Sequence, residues 1–85
     1  MDKVEISSII RETGVIAIMR AQSSDQLIAA ADAIKRGGVR AIEVTMTTPG
    51  ALHVIAEANG RYGSDVNFGA GTVLDAETGR AAILA

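Results

Sequence analysis

Gly37-Gly38-Val39-Arg40-Ala41-Ile42-Glu43-Val44-Thr45 is the stretch that decides how this chain folds. The two glycines end a helix, and a short apolar run rich in β-branched residues follows at once. Such a run, apolar on both faces, reads as a strand of a parallel sheet covered on both sides. Gly38-Val39-Arg40-Ala41-Ile42 also echoes Gly14-Val15-Ile16-Ala17-Ile18 upstream. A strand-plus-helix unit is therefore repeated.

Working outward, Gly14 to Arg20 reads as a first strand. Ser23 or Ser24 then caps a helix, and Ser23 with Gln26 has capping-box spacing. Leu27, Ala31 and Ile34 share one face of that helix, with Asp25, Asp32 and Arg36 on the other. Downstream, Thr48-Pro49 predicts a cap followed by proline in the first helical turn. Ala51, Ile55, Ala58 and Tyr62 form the apolar stripe of this next helix, opposite His53, Glu57 and Arg61. Val66 to Gly71 reads as a third strand, and Asp75 as the cap of a last helix. Ile6, Ile9 and Ile10 mark a short helix at the start. Alternating strands and helices of this kind predict a parallel α/β sheet with right-handed crossovers. Three parallel strands leave two bare edges, and a (β/α)8 TIM barrel needs ~200 residues or more. The expectation is one incomplete α/β-barrel domain over residues 1–85: about three βα units behind an N-terminal helix, ending within a helix at Ala81 to Ala85.

Composition removes several functions. The 85 residues are 48% hydrophobic and 21% charged, which is globular and not disordered. Eight basic residues stand against ten acidic ones, and the basic ones are scattered. With aromatics at 2%, neither a basic footprint nor a stacking platform for nucleic acid is present. There is no cysteine and only one histidine. Disulfide frameworks, cysteine-ligated metals and multi-histidine sites are thus excluded. No apolar run approaches the ~20 residues needed to cross a bilayer. The start carries acids where a secretory signal carries bases. The expectation is a soluble cytoplasmic protein with no membrane or nucleic-acid partner.

Glu43 is the residue most suggestive of chemistry. A carboxylate in a buried strand costs several kcal/mol, about the price of an unpaired ion, unless it is paired or protonated. Burial favours the protonated form near neutral pH, which suits a general acid or base. An equally weighted reading makes Glu43 a strand-end residue paired with Arg20 or Arg40. Gly69-Ala70-Gly71-Thr72-Val73 is a glycine-rich strand end that lets backbone approach a ligand, with Thr72 offering a hydroxyl. It is neither a dinucleotide fingerprint nor a P-loop. Taken alone, its glycines are better read as making room for a neighbouring strand. Arg20 could hold a carboxylate or phosphate in bidentate fashion, although a lone Arg is more often solvated. Arg20, Glu43, Thr47 and Thr72 together fall toward the C-terminal ends of strands, where α/β barrels place active sites. His53 and Lys35 read as surface charges.

Val15 to Arg20, Gly37 to Thr45 and Gly69 to Val73 resemble, in order and spacing, the opening third of the 2-keto-3-deoxy-6-phosphogluconate aldolases, also known as 4-hydroxy-2-oxoglutarate aldolases. The resemblance covers nearly the whole chain. It implies a (β/α)8 barrel, a homo-oligomer (usually a trimer), and a class I aldolase that needs no metal or other cofactor. In such enzymes a lysine forms a Schiff base with a 2-keto acid substrate. The residue matching Glu43 shuttles protons. The products are pyruvate and glyceraldehyde 3-phosphate, or glyoxylate from the shorter substrate. Arg20 and Thr72 match positions around the carboxylate pocket. Thr47 stands where some members carry an arginine, so Arg20 is the implied carboxylate contact. The family's Schiff-base lysine lies on the sixth strand, and neither Lys3 nor Lys35 falls on a strand here. The resemblance thus implies that the 85 residues alone are inactive. Two other readings fit the βα pattern: another barrel enzyme acting on phosphorylated substrates, and a non-catalytic half-barrel that buries its edges against a second copy.

Overall fold

The computed structural model describes residues 2–20 and 22–85. Its element order is α1 (Lys3–Thr13), β1 (Ala17–Met19), α2 (Ser24–Arg36), β2 (Ala41–Thr45), α3 (Ala51–Tyr62), β3 (Asn67–Gly71) and α4 (Ala76–Leu84). The three strands form one parallel sheet in the order β1-β2-β3. The parallel α/β expectation holds, as does the run of three βα units behind an N-terminal helix.

One face of the sheet makes the core. Met19, Ile42, Val44 and Phe68 pack there against Leu27 and Ala31 of α2 and Ala51, Val54, Ile55 and Ala58 of α3. Their spacing gives each helix an apolar stripe of the predicted kind. The opposite sides of these helices carry charge. Glu57 lies 3.0 Å from Arg61 and 3.8 Å from His53, one turn away in each direction along α3. His53 is thus the surface residue it was read to be.

The other face departs from the expectation that every strand is covered on both sides. Ile18 is 63% exposed and Ile16 48% exposed. Both helices that follow the first two strands lie on the same side, so Ile16 and Ile18 have no cover, and only Ala41 and Thr45 at the two ends of β2 are buried on the other side. The first strand is also shorter than its apolar run: Val15 and Ile16 precede the pairing, which starts at Ala17.

Two helix starts differ from their sequence reading. Ser23 caps α2 by accepting from the Gln26 amide at 3.3 Å. The box does not close, because the Gln26 side chain accepts from the Gln22 amide instead. Thr48-Pro49 does not open α3. It lies in a turn, and Gly50, with φ of 68°, occupies the N-cap without a side-chain bond. Thr48 is buried and its hydroxyl lies 3.5 Å from that of Thr45, so it faces the strand end and not the helix amides. Asp75 caps α4 as predicted, accepting from the Thr78 amide at 2.7 Å. At the chain start, Asp2 and Glu5 form a reciprocal capping box on α1 that the sequence reading overlooked.

Candidate active site

Strand register places the candidate residues. Ile18, Glu43 and Gly69 are neighbours across the sheet, and Met19, Val44 and Ala70 form the next row. Successive residues point to opposite faces. Ile18, Glu43, Gly69 and Gly71 therefore share the open face, while Ile42 and Val44 enter the core. Glu43 is half-buried there, not enclosed.

Glu43 does not sit at the strand end, where the ion-pair alternative put it. It is the middle residue of β2. Its side chain leans toward the C-terminal end of the sheet, passing its register partner Gly69 and lying against Gly71. Side chains on strands commonly lean along the strand direction, and here the lean carries the carboxylate to the rim. No ion pair joins Glu43 to Arg20 or Arg40 among the described residues. Arg40 is occupied elsewhere: its Nε donates to the Asp65 carbonyl at 3.1 Å.

The rim is built by the residues just beyond the strands. Arg20 follows β1 immediately and is exposed. Thr47 lies two residues past β2, its hydroxyl 2.8 Å from that of Thr45. Thr72 follows β3 with φ of 60° and is the one non-glycine residue with positive φ among those described. A β-branched residue in the left-handed region is strained by ~1–3 kcal/mol, and such strain collects at functional sites. Thr47 and Thr72 line a common recess of about 230 Å³ with Met46, Leu74, Asp75 and Thr78. These two predicted residues are thus brought together. Arg20 stands at the β1 end of the same rim and is not part of that recess.

Asp75 at the edge of the recess has its carboxyl held below the ordinary carboxylate value. The Thr78 amide is the main cause, and the Thr78 hydroxyl at 2.8 Å adds to it. The positive end of α4 is therefore already served by the protein's own carboxylate.

Two features escaped the sequence reading. The buried hydroxyl of Thr45 bridges toward both Thr47 and Thr48 and ties the turn after β2 to the sheet. The cluster of three threonines in Thr45-Met46-Thr47-Thr48 was its visible signal. The second feature is the larger hollow, about 920 Å³, which lies along the outer edge of β3 between α1, α3 and α4. Phe68, Ala70, Ala82 and Ile83 line it. It follows an unpaired strand edge, away from Glu43, and is a packing groove more than a chemical site.

The family described as KDPG and KHG aldolase matches residues 6–85. A solved structure described as "Native KDPGal structure" is similar with a TM-score of 0.74 and 33% sequence identity. The similarity covers 79% of this chain and 32% of that one, so the chain spans about a third of that structure's length. No curated protein matches.

Proposed function

Because this chain belongs to the KDPG and KHG aldolase family, we propose that its residues build the first part of a (β/α)8 barrel. That barrel acts as a class I aldolase on a 2-keto acid. Its substrate is 2-keto-3-deoxy-6-phosphogluconate, cleaved to pyruvate and glyceraldehyde 3-phosphate, with 4-hydroxy-2-oxoglutarate as a shorter alternative. The complete protein works in the cytoplasm as a homotrimer, and its groove beside β3 receives a fourth strand.

The observation that carries this reading is the position of Glu43: a strand-borne carboxylate on the open face, directed to the C-terminal rim. Barrel enzymes do their chemistry at that rim. In its protonated form Glu43 delivers one proton to the substrate's C2 oxygen as a neutral lysine amine adds to that carbon; the amine nitrogen gives up the second, and water leaves as the iminium forms. As a carboxylate it accepts the proton of the C4 hydroxyl while the C3–C4 bond breaks. One group at the rim can serve both steps because the first leaves it charged and ready for the second. Arg20 at the same rim supplies charge for the substrate carboxylate, and Thr47 and Thr72 supply hydroxyls.

Lys3 lies in α1 and Lys35 in α2, so the amine must come from another part of the complete barrel. The same reading makes the 85 residues inactive by themselves. The test is Glu43→Gln in the complete enzyme. Pyruvate trapped by borohydride should still reach its full adduct, more slowly because the C2 proton step is also Glu43's, while turnover falls by roughly 10²–10⁴, the contribution of a positioned acid–base group. Turnover within a few-fold of the parent would remove Glu43 from the chemistry.

A further inference from the structure

Gly71 is placed unlike the other glycine on its strand. A Cβ added at Gly69 meets nothing within 4 Å, although Gly69 is the register partner of Glu43. A Cβ added at Gly71 would fall on Oε1 and Cδ of Glu43, and within 2.8 Å of its Cγ. The space a side chain would fill at position 71 is thus filled by the carboxylate arm of Glu43.

The backbone at Gly71 has little freedom to give way. Its carbonyl accepts from the Met46 amide at 2.9 Å, and Gly71 is paired in register with Thr45. Immediately after it, Thr72 takes its left-handed conformation and turns the chain. Glu43, in contrast, is a flexible side chain beside an open face. A methyl group at position 71 would therefore move the carboxylate and leave the sheet in place.

We propose that Gly71 is a positioning residue for Glu43: its missing side chain is the seat in which the carboxylate lies when it reaches the reacting atoms. The inference rests on the reading of Glu43 as the proton shuttle. A carboxylate that must protonate one oxygen and deprotonate another has to be held within hydrogen-bond reach of both. Displacement by ~1 Å can cost about 10²-fold in rate.

The experiment is a double-substitution cycle in the complete enzyme, with 2-keto-3-deoxy-6-phosphogluconate as substrate. Gly71→Ala should lower kcat by about 10- to 100-fold with KM unchanged, and the borohydride-trapped pyruvate adduct should reach its full extent at a slower rate. In the Glu43→Gln background the same change should cost nothing further, because the group it displaces no longer carries protons. If Gly71→Ala keeps the parental kcat while Glu43→Gln is slow, the positioning role is overturned and the proton-shuttle reading stands. An equal additional loss in the Glu43→Gln background also overturns it, since the effect would then not pass through Glu43. If Glu43→Gln itself turns over normally, the reading of Glu43 fails and the positioning role fails with it. Should Gly71→Ala fail to fold, the Gly71→Ala, Glu43→Ala double variant decides. Recovery of the parental melting temperature supports a steric seat, and continued misfolding overturns it.

Discussion

Ile42 and Glu43 are adjacent on β2, yet one is sealed beneath α2 and α3 while the other looks onto an open face. The same contrast runs through the sheet. Met19, Val44 and Phe68 are buried, while Ile18 in the same layer of strands is left 63% exposed. Alternation along a strand thus separates two duties. One face generates the free energy of folding by removing apolar surface from water. The other holds the one strand-borne carboxylate and the glycine that accommodates it. An apolar pattern alone does not distinguish these faces, because Ile18 and Ile42 are the same residue type in opposite settings.

Truncation of the covered face should have the largest effect. Leu27→Ala removes a 1% exposed side chain from the centre of the core. It should cost about 2–5 kcal/mol in urea unfolding, the usual range for a buried leucine. On the open face, Ile18→Ser in the 85-residue polypeptide should change stability by no more than about 0.5 kcal/mol, as exposed substitutions do. A loss as large as that of Leu27→Ala would break the comparison, because it would mean that the open face is covered in solution. Ser23→Ala comes next: it removes the cap of α2, which is half of the cover, and should cost ~1 kcal/mol. Hydrogen exchange should then rise first at the start of α2 and leave β2 unchanged.

An effect confined to low pH is expected at Asp75. Its carboxyl titrates below the ordinary value of 3.8 in the folded chain, so the folded state holds this proton less tightly than the unfolded one. The stability it gives α4 is complete above that ordinary value and is lost as the pH falls through the lowered one. A helix signal followed through an acid titration should show a late loss at α4. Asp75→Asn, which caps without titrating, should flatten it. An unchanged acid limb in Asp75→Asn would assign the loss to another carboxylate.

The covered face was the legible one. Leu27 and Ala31 recur at helical spacing, as do Ala51, Ile55 and Ala58, and that periodicity can only be satisfied by one buried side. Asp75 was legible because a cap is decided within three residues of sequence. The open face was misread because burial of a strand's second side depends on elements that lie elsewhere, which periodicity within the strand does not report. Thr48-Pro49 was misplaced for a related reason. Its cap signature is local, but Thr45 competes for the Thr48 hydroxyl and wins. Arg20, Glu43, Thr47 and Thr72 were expected together at the C-terminal strand ends; Thr47 and Thr72, which follow adjacent strands, share a recess, and Arg20 does not line it. The seat at Gly71 was out of reach, since strand pairing assigns Gly69 to Glu43 and only the lean of the side chain moves it on by two residues.

At the opposite end of the sheet, the Lys35 ammonium reaches the Asp65 carboxylate at 3.5 Å while lying 5.2 Å from the centre of the Tyr62 ring. Arg40 bonds to the carbonyl of the same Asp65. These contacts draw the end of α2, the end of α3 and the start of β2 together with the turn before β3. None of them involves Arg20, Glu43, Thr47 or Thr72. Substitution at the C-terminal rim can therefore proceed without loosening the fastening below. Under the proposed function, substrate preference could be rebuilt at the rim by substitution while this foundation stays as it is.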